Sequence, residues 1–324
     1  LVSAETQERH PEIKMQYTRA TLGVSARRPE NWRHAMQQRV DRKAARRSRV
    51  TGTDERTYPL GHSDHELKRL EQLGALFGDF TGDALRRGGL APGMRVLDVG
   101  CGVGDVSMMA ASLVGSSGAV LGVDRSARAI DIARLRAAAA GQDWVRFIAS
   151  EVDGFGTDER FDAIIGRLIL MYLPDPAATL RRLCGRLRPG GIVVFQEMAI
   201  PVARCVPEGP QFRGCMDWIC RTFAQSGAEL DMGSKLYATF LAAGLPAPRM
   251  VLAGRAEGGP ESPAYDFIAA TARSVLPAAE RLGVTTAAEV GIDTMVERLR
   301  REAVESNACV MLPPLVGAWS QLPG

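Results

Sequence analysis

The stretch VLDVGCGVGDVS at 96–107 places an acid, Asp98, two residues before the first of three glycines, Gly100, Gly102 and Gly104. Apolar residues precede it and a helix-compatible run follows, so the glycines fall on a strand-to-helix turn. Such a turn wants positive φ and lets a ligand approach the backbone closely, which a Cβ would prevent. The spacing is G-x-G-x-G, not the G-x-G-x-x-G of nicotinamide dinucleotide sites, where pyrophosphate rests on a helix N-terminus. An acid at position 98 would repel pyrophosphate and suits a ligand carrying an ammonium group and a sulfonium. Asp124 ends the apolar run LGVD, where a carboxylate can accept both hydroxyls of a ribose. Glu151 follows VRFIAS and offers an acceptor for an adenine amino group. Three acids at successive strand ends would line the carboxyl edge of a sheet, where open α/β sheets bind ligands.

The elements needed to bring those acids together are visible in the pattern. Strands are predicted at 95–100, 119–124, 145–149, 161–166 and 191–197, the last after the turn RPGG. Between them lie predicted helices at 104–115, from Ser126 through SARAIDIARLRAAAA, and at 175–187. Short apolar strands alternating with amphipathic helices make a parallel, doubly wound sheet. Upstream, Ser63 followed by Glu66 is a capping-box signature, and Leu67, Leu70, Leu73, Leu76 and Phe77 recur at helical spacing. A second short helix is expected over 80–88. Beyond Pro201 the pattern predicts helices at 209–226 and 233–243, and strands at 248–255 and 308–319. It also predicts a helical stretch at 262–305 that Pro277 breaks in two.

A chain of 324 residues, 46% hydrophobic and 24% charged, is long enough for one large α/β domain or two ordinary ones, and its composition excludes wholesale disorder. The longest dense apolar run, FDAIIGRLILMYL, contains Asp162 and Arg167 and falls short of the ~20 apolar residues of a membrane span. Residues 1–30 show no signal-peptide pattern, so a cytoplasmic protein is expected. The net charge of +3 divides into +6 over residues 1–57 and −3 over the remainder. Residues 1–57 lack sustained periodicity and are expected to form a disordered basic extension, with RKAARRSR on a short helix near 31–48 as the alternative. The rest of the chain has no basic stretch, which argues against a nucleic-acid partner, because phosphate contacts dominate such affinity. The six cysteines contain no C-x-x-C pair, and the 205/215/220 group has no histidine nearby to complete a zinc site. Reduced thiols and no metal are expected, although His62 and His65 form an isolated H-x-x-H.

Taken together, VLDVGCGVG, LGVDRSARAI, RFIASEVD, FDAIIGRLILMYLPDP and LRPGGIVVFQE resemble the class I S-adenosylmethionine-dependent methyltransferases in order and spacing. The likeness is to the ubiquinone/menaquinone and small-molecule branch, and YPLGHSDHELKRL is similar to a helical segment that precedes the core in one subgroup. The resemblance implies an α/β fold: a Rossmann-like seven-stranded doubly wound sheet, its last strand antiparallel, with a helical cap. It divides 58–324 into an N-terminal helical cap (58–90), a cofactor-binding core (91–200) and a C-terminal half of the sheet with cap insertions (201–324). S-adenosylmethionine is the implied cofactor, with Asp98 and the loop Gly100, Cys101, Gly102 and Gly104 at its methionine moiety. Asp124 and Arg125 fall at the ribose, Glu151 and Val152 at the adenine, and Gly166 and Arg167 toward the methionine end. Tyr58 either covers the cofactor's carboxylate end or anchors the approaching chain to the core, and Arg167 either pairs a ligand carboxylate or makes a structural ion pair.

The implied chemistry asks little of side chains, because a sulfonium methyl is already activated and alignment governs its transfer. A general base matters only if the acceptor starts protonated; the candidates are His62, Tyr172 and Glu197. Trp218 and Phe223, on the 209–226 helix, read as core residues, with stacking on a substrate as the alternative. The expected partner is a small-molecule acceptor methylated at oxygen, nitrogen or carbon, without nucleic acid or membrane, and a homodimer is compatible with this reading. The rivals are a peptide or protein methyltransferase, a non-catalytic S-adenosylmethionine-binding protein and, more remotely, a nicotinamide oxidoreductase.

Overall fold

The strands at the centre of the molecule are nearly continuous runs of Val, Ile, Leu and Phe, as strands covered on both faces must be. The computed structural model describes residues 59–60 and 64–324, which lie within the compact unit Thr51–Gly324. The expected N-terminal extension, Tyr58, His62 and the Ser63 half of the capping box lie outside the described residues.

Helix α1 (Asp64–Arg87) leads into β1 (Arg95–Val99), α2 (Asp105–Val114), β2 (Ala119–Asp124), α3 (Ala127–Ala139), β3 (Val145–Ala149) and β4 (Phe161–Arg167). After a 3-10 turn at Leu170–Tyr172 come α4 (Pro176–Cys184), β5 (Leu187–Met198), β6 (Arg204–Val206), α5 (Pro210–Gln225), α6 (Met232–Ala242), β7 (Arg249–Ala253) and β8 (Ala256–Glu257). The chain ends with α7 (Ala264–Arg281), α8 (Ala287–Val290), α9 (Met295–Glu305), β9 (Cys309–Met311) and β10 (Leu315–Gln321).

The main sheet has seven strands in the order β3-β2-β1-β4-β5-β10-β7, parallel except for β10, which runs antiparallel to both neighbours. From β1 the order runs one way to β3, and from β4 it runs the other way to β5. Right-handed crossovers therefore put α2 and α3 on one face and α4 on the other. The reversal falls between β1 and β4, the topological switch point at which such sheets bind ligands. Local caps fix where the helices begin. Ser126 Oγ accepts the Ala129 N–H at 3.2 Å, and Asp175 Oδ1 accepts the Ala178 N–H at 2.9 Å. No helix among the described residues is long and apolar enough to cross a membrane.

Several expectations are corrected. The segment 80–88 is not a second helix; residues 80–87 extend α1, because Phe77, Ala84 and Leu85 are buried along one continuous face. The RPGG segment is not a turn before the fifth strand but an irregularity within it, where the register shifts between Phe161 and Ala163. The predicted strand 308–319 divides at Pro313-Pro314, which cannot donate to a ladder. Its first part, β9, joins β6 and β8 in a separate three-stranded sheet, and its second part enters the main sheet as β10.

Pro277 lies inside α7 without ending it; the break comes at Gly283, where φ is +67°. Residues on both sides of Pro277, including Val275, Leu276, Ala278 and Ala279, are buried, so packing carries the helix past the missing N–H. Pro277 itself is exposed. An interior proline costs a helix ~3 kcal/mol, and its stiffening of the unfolded chain returns ~0.4–1 kcal/mol. Pro277→Ala is therefore expected to raise unfolding stability by about 2 kcal/mol in urea titration; an unchanged or lower value would contradict this account.

Candidate active site

The cavity at the carboxyl edge of the sheet has a volume of about 390 Å³, within the size range of small-molecule sites. Its polar half is built by the loops after β1, β2 and β3. Gly100, Cys101, Gly102 and Val103 form one wall, Asp124 and Arg125 the next, and Glu151, Val152 and Asp153 the third. The glycine turn is tied to β2 through Asp124, whose Oδ2 accepts the Gly102 N–H at 2.9 Å while Oδ1 accepts the Ser126 N–H at 2.8 Å. Each carboxylate oxygen keeps a second lone pair, so Asp124 can still accept hydroxyls from the cavity side. Glu151 is exposed at the rim, and Val152 is buried. The loop behind them is fastened to α4 by Arg182, which donates to the Val152 carbonyl at 3.0 Å and to Asp153 Oδ1 at 2.8 Å.

Two of the glycines serve different ends. A Cβ on Gly102, at φ +52°, would meet nothing closer than Leu70 at 3.9 Å, so the space above this residue is open for a ligand. A Cβ on Gly104, at φ +88°, would strike the Phe147 ring at 2.9 Å. The third glycine is thus a packing position and does not line the cavity.

Four predicted site residues lie behind the wall instead of on it. Gly104 is one, and Gly166 is another, because a Cβ there would meet Phe195 at 2.6 Å. Asp98 is 1% exposed, and its Oδ2 accepts the Ser107 hydroxyl at 2.6 Å, while Oδ1 is buried without a partner. Burial pushes its carboxyl up to about 7 against the stabilising pull of Ser107 and Arg167. Glu197 is fully buried, with its Oε1 accepting the Ile169 and Leu170 N–H groups at 3.0 and 2.7 Å, so it does not face an acceptor as a base would. Tyr172 does line the cavity, but burial holds its phenol well above the usual range, and it stays protonated at neutral pH.

Arg167 lines the cavity and is 9% exposed. It donates to Thr81 Oγ1 at 3.1 Å and stands 3.9 Å from Asp105 Oδ2, whose other oxygen is taken by Arg136 at 2.6 Å. A guanidinium that is buried and only partly neutralised suits an anionic group in the cavity. A second buried pair went unrecognised in the sequence: Arg69 binds Glu66 through two bonds of 2.7 Å on α1, and both residues line the cavity. Their signal was present, since positions 66 and 69 share the helical stripe of Leu70 and Leu73. His65 is exposed.

The other half of the cavity is apolar and comes from elements whose role had no local signature. Met216, Ile219 and Phe223 from α5 face Phe267 and Ile268 from α7, beside Met198 at the end of β5. Phe223 is therefore a wall residue, whereas Trp218 is buried away from the cavity. Among the described residues no three His, Cys, Asp or Glu side chains are grouped as a metal ion would need, and the six cysteines are unpaired thiols.

The Asp98 carboxyl makes stability depend on pH. Its folded value lies above the unfolded value of 3.8, so folding takes up a proton between about 4 and 7, and stability falls as pH rises through that window. Against Asp98→Asn, the wild-type chain is expected to lose relative thermal stability across that window; parallel melting-temperature curves would refute the assignment.

A family model described as a methyltransferase domain matches residues 90–235. Over 114 residues the chain is 38% identical to 2-phytyl-1,4-naphtoquinone methyltransferase of Synechococcus elongatus, covering 34% of this chain and 48% of that protein. It is 36% identical over 132 residues to ubiquinone biosynthesis O-methyltransferase of Aromatoleum aromaticum, covering 40% and 53%. It is also 36% identical over 104 residues to aklanonic acid methyltransferase of a Streptomyces species, covering 32% and 47%. The chain thus spans about half the length of the curated relatives it matches. Among solved structures, a Bacillus halodurans protein provisionally described as a methyltransferase superposes with a TM-score of 0.52 at 16% identity, covering 75% of this chain and 99% of that one, a likeness of fold. With the glycine turn, the acids at the strand ends and the seven-stranded order already in place, residues 90–235 are a methyltransferase domain of the class I S-adenosylmethionine-dependent type.

Proposed function

We propose that this chain moves a methyl group from S-adenosylmethionine to oxygen, nitrogen or carbon of a small, largely apolar acceptor of quinone or polyketide type. The observation that carries the reading is the continuity of the cavity, from Gly102, Asp124 and Glu151 at one end to Met216, Phe223 and Phe267 at the other. The names of the relatives, a 2-phytyl-1,4-naphtoquinone methyltransferase, an O-methyltransferase of ubiquinone biosynthesis and an aklanonic acid methyltransferase, support the same acceptor class. A peptide or protein acceptor calls for an open groove, whereas here α1, α5 and α7 all supply walls.

The residues of the polar half fit the cofactor. Open space over Gly102 admits a ligand against the backbone, Asp124 has lone pairs for ribose hydroxyls, and Glu151 stands at the rim for an amino group. Asp98, behind the turn, adds negative potential beneath a cationic methionine end whenever it is ionised, and Arg167 suits that end's carboxylate. When bound, S-adenosylmethionine supplies a methyl on a cationic sulfur, ready for in-line displacement. The protein's part is alignment and exclusion of water. The apolar side chains of α5 and α7 hold the acceptor and lower the local dielectric, which strengthens electrostatic interactions in the site. In this reading α1, α5, the helices α7–α9 and the small sheet form the cap, and the division at 58–90, 91–200 and 201–324 follows.

Incubation with labelled S-adenosylmethionine and a panel of 1,4-naphthohydroquinones and hydroxyanthraquinones is expected to give a labelled organic product. Asp124→Ala is expected to weaken cofactor binding by about 10-fold or more, the order of one charge-assisted hydrogen bond of ~1.5–3 kcal/mol. Absence of S-adenosylmethionine binding by calorimetry would sink the proposal. Binding without transfer to the panel or to a cell extract would instead favour a non-catalytic binding protein.

A further inference from the structure

We infer that Glu197 is a positioning residue for methyl transfer: from behind the wall it sets the loop that follows β4 against the glycine turn. The inference rests on the cavity being the transfer site. That loop gives the cavity Leu168, Ile169, Met171, Tyr172, Leu173 and Pro174. It leaves β4 through Leu168, which adopts φ +55°, a conformation that a residue with a Cβ takes only when its surroundings enforce it. Two residues at the end of β5 do the enforcing. The Gln196 carbonyl accepts the Leu168 N–H at 2.9 Å, and Glu197 Oε1 accepts the next two N–H groups, those of Ile169 and Leu170.

The loop so held reaches the cofactor side through Ile169. A Cβ on Gly100 would lie 2.7 Å from the Ile169 side chain, and one on Gly166 would lie 3.1 Å from it. Ile169 is thus wedged between the first glycine of the turn and the end of β4. The path runs from the Glu197 carboxyl to the Ile169 backbone, then through its side chain to Gly100. It joins the wall that would touch the acceptor to the wall that would touch the cofactor. In-line transfer depends on the distance and angle between those two ligands, and small misplacements are costly.

The surroundings of Glu197 make its role separable from general packing. Val316 of β10 is its register partner, and Gly233 of α6 approaches its backbone so closely that a Cβ there would lie 2.9 Å from its carbonyl. Neither residue carries a charge. On the loop the titratable group that feels Glu197 is Tyr172, and Glu197 Oε2 has no partner. Burial pushes the carboxyl up to about 8, so at neutral pH it is a neutral acid whose oxygen still accepts both N–H groups. Glutamine reproduces that state; alanine does not.

The test compares wild type, Glu197→Gln and Glu197→Ala, reading amide exchange of residues 168–173 and calorimetric affinity for S-adenosylhomocysteine, with β1 as internal reference. Glu197→Ala is expected to speed exchange of Ile169 and Leu170 by about 10-fold and to weaken S-adenosylhomocysteine several-fold while β1 is unchanged; Glu197→Gln should stay within about 2-fold of wild type. Unchanged loop exchange in Glu197→Ala, or a glutamine variant as impaired as the alanine one, overturns the inference. Should Glu197→Ala not fold, the pH profile decides. Above about 8 the wild-type carboxylate tightens its two bonds, so protection of Ile169 and Leu170 should rise relative to Glu197→Gln, and identical profiles overturn the role. Wild-type protein that fails to bind S-adenosylhomocysteine would overturn the transferase reading, an outcome distinct from an unperturbed loop.

Discussion

The carboxylate of Asp124 accepts the Gly102 N–H with one oxygen and the Ser126 N–H with the other, and the polar half of the cavity is organised around that pair of bonds. Through Gly102 it fixes the turn between β1 and α2; through Ser126 it fixes the start of α3, which Ser126 itself caps. The last residue of β2 therefore sets the height of two loops over the sheet at once. The parallel pairing of β1 with β2 and of β2 with β3 brings the three acids of the sequence to adjacent strand ends, though at different depths. Asp98 lies beneath the turn, Asp124 within it and Glu151 at the rim.

The apolar half obeys a different constraint. Its helices are inserted around the sheet and are held to one another by a partly buried carboxylate as well as by packing. Glu302 of α9 accepts the N–H groups of Gln211 and Phe212 at the start of α5 and thereby satisfies donors that a helix leaves open. Buried ion pairs are weak evidence of stability, since desolvation offsets much of their attraction. The Glu66–Arg69 and Asp105–Arg167 contacts are better understood as fixing orientation in the wall between the two halves.

The core of the fold was legible in the sequence because its strands are apolar on both faces and its helices carry ordinary caps at Ser126 and Asp175. What escaped was set by tertiary contact. The 80–87 segment continues α1 because the sheet and α7 bury Phe77 and Leu85, and Pro277 is tolerated because its neighbours are packed. Strands as short as β6, β8 and β9 have no period to read. At the site, residue types and spacing singled out Asp124, Glu151, Gly100 and Gly102, which line the cavity. They also singled out Asp98 and Glu197, which are buried behind the wall, because a strand-end carboxyl looks the same in sequence whether it faces a ligand or a backbone. The partners of Glu197 lie nearly thirty residues upstream, on a loop with no regular pattern.

Pro313 and Pro314 separate β9, which belongs to the small sheet, from β10, which lies between β5 and β7 in the main one. Two stiff residues thus join the small sheet to the last strand of the main one, and Pro313 also lines the cavity. The apolar half of the cavity cannot be lifted out as a contiguous cassette. Exchange of the helices between relatives would have to carry β9 and its junction along, or cut into the sheet itself. The lining of that half is then expected to change most readily through point substitutions on α5 and α7, with the threading of the chain left intact.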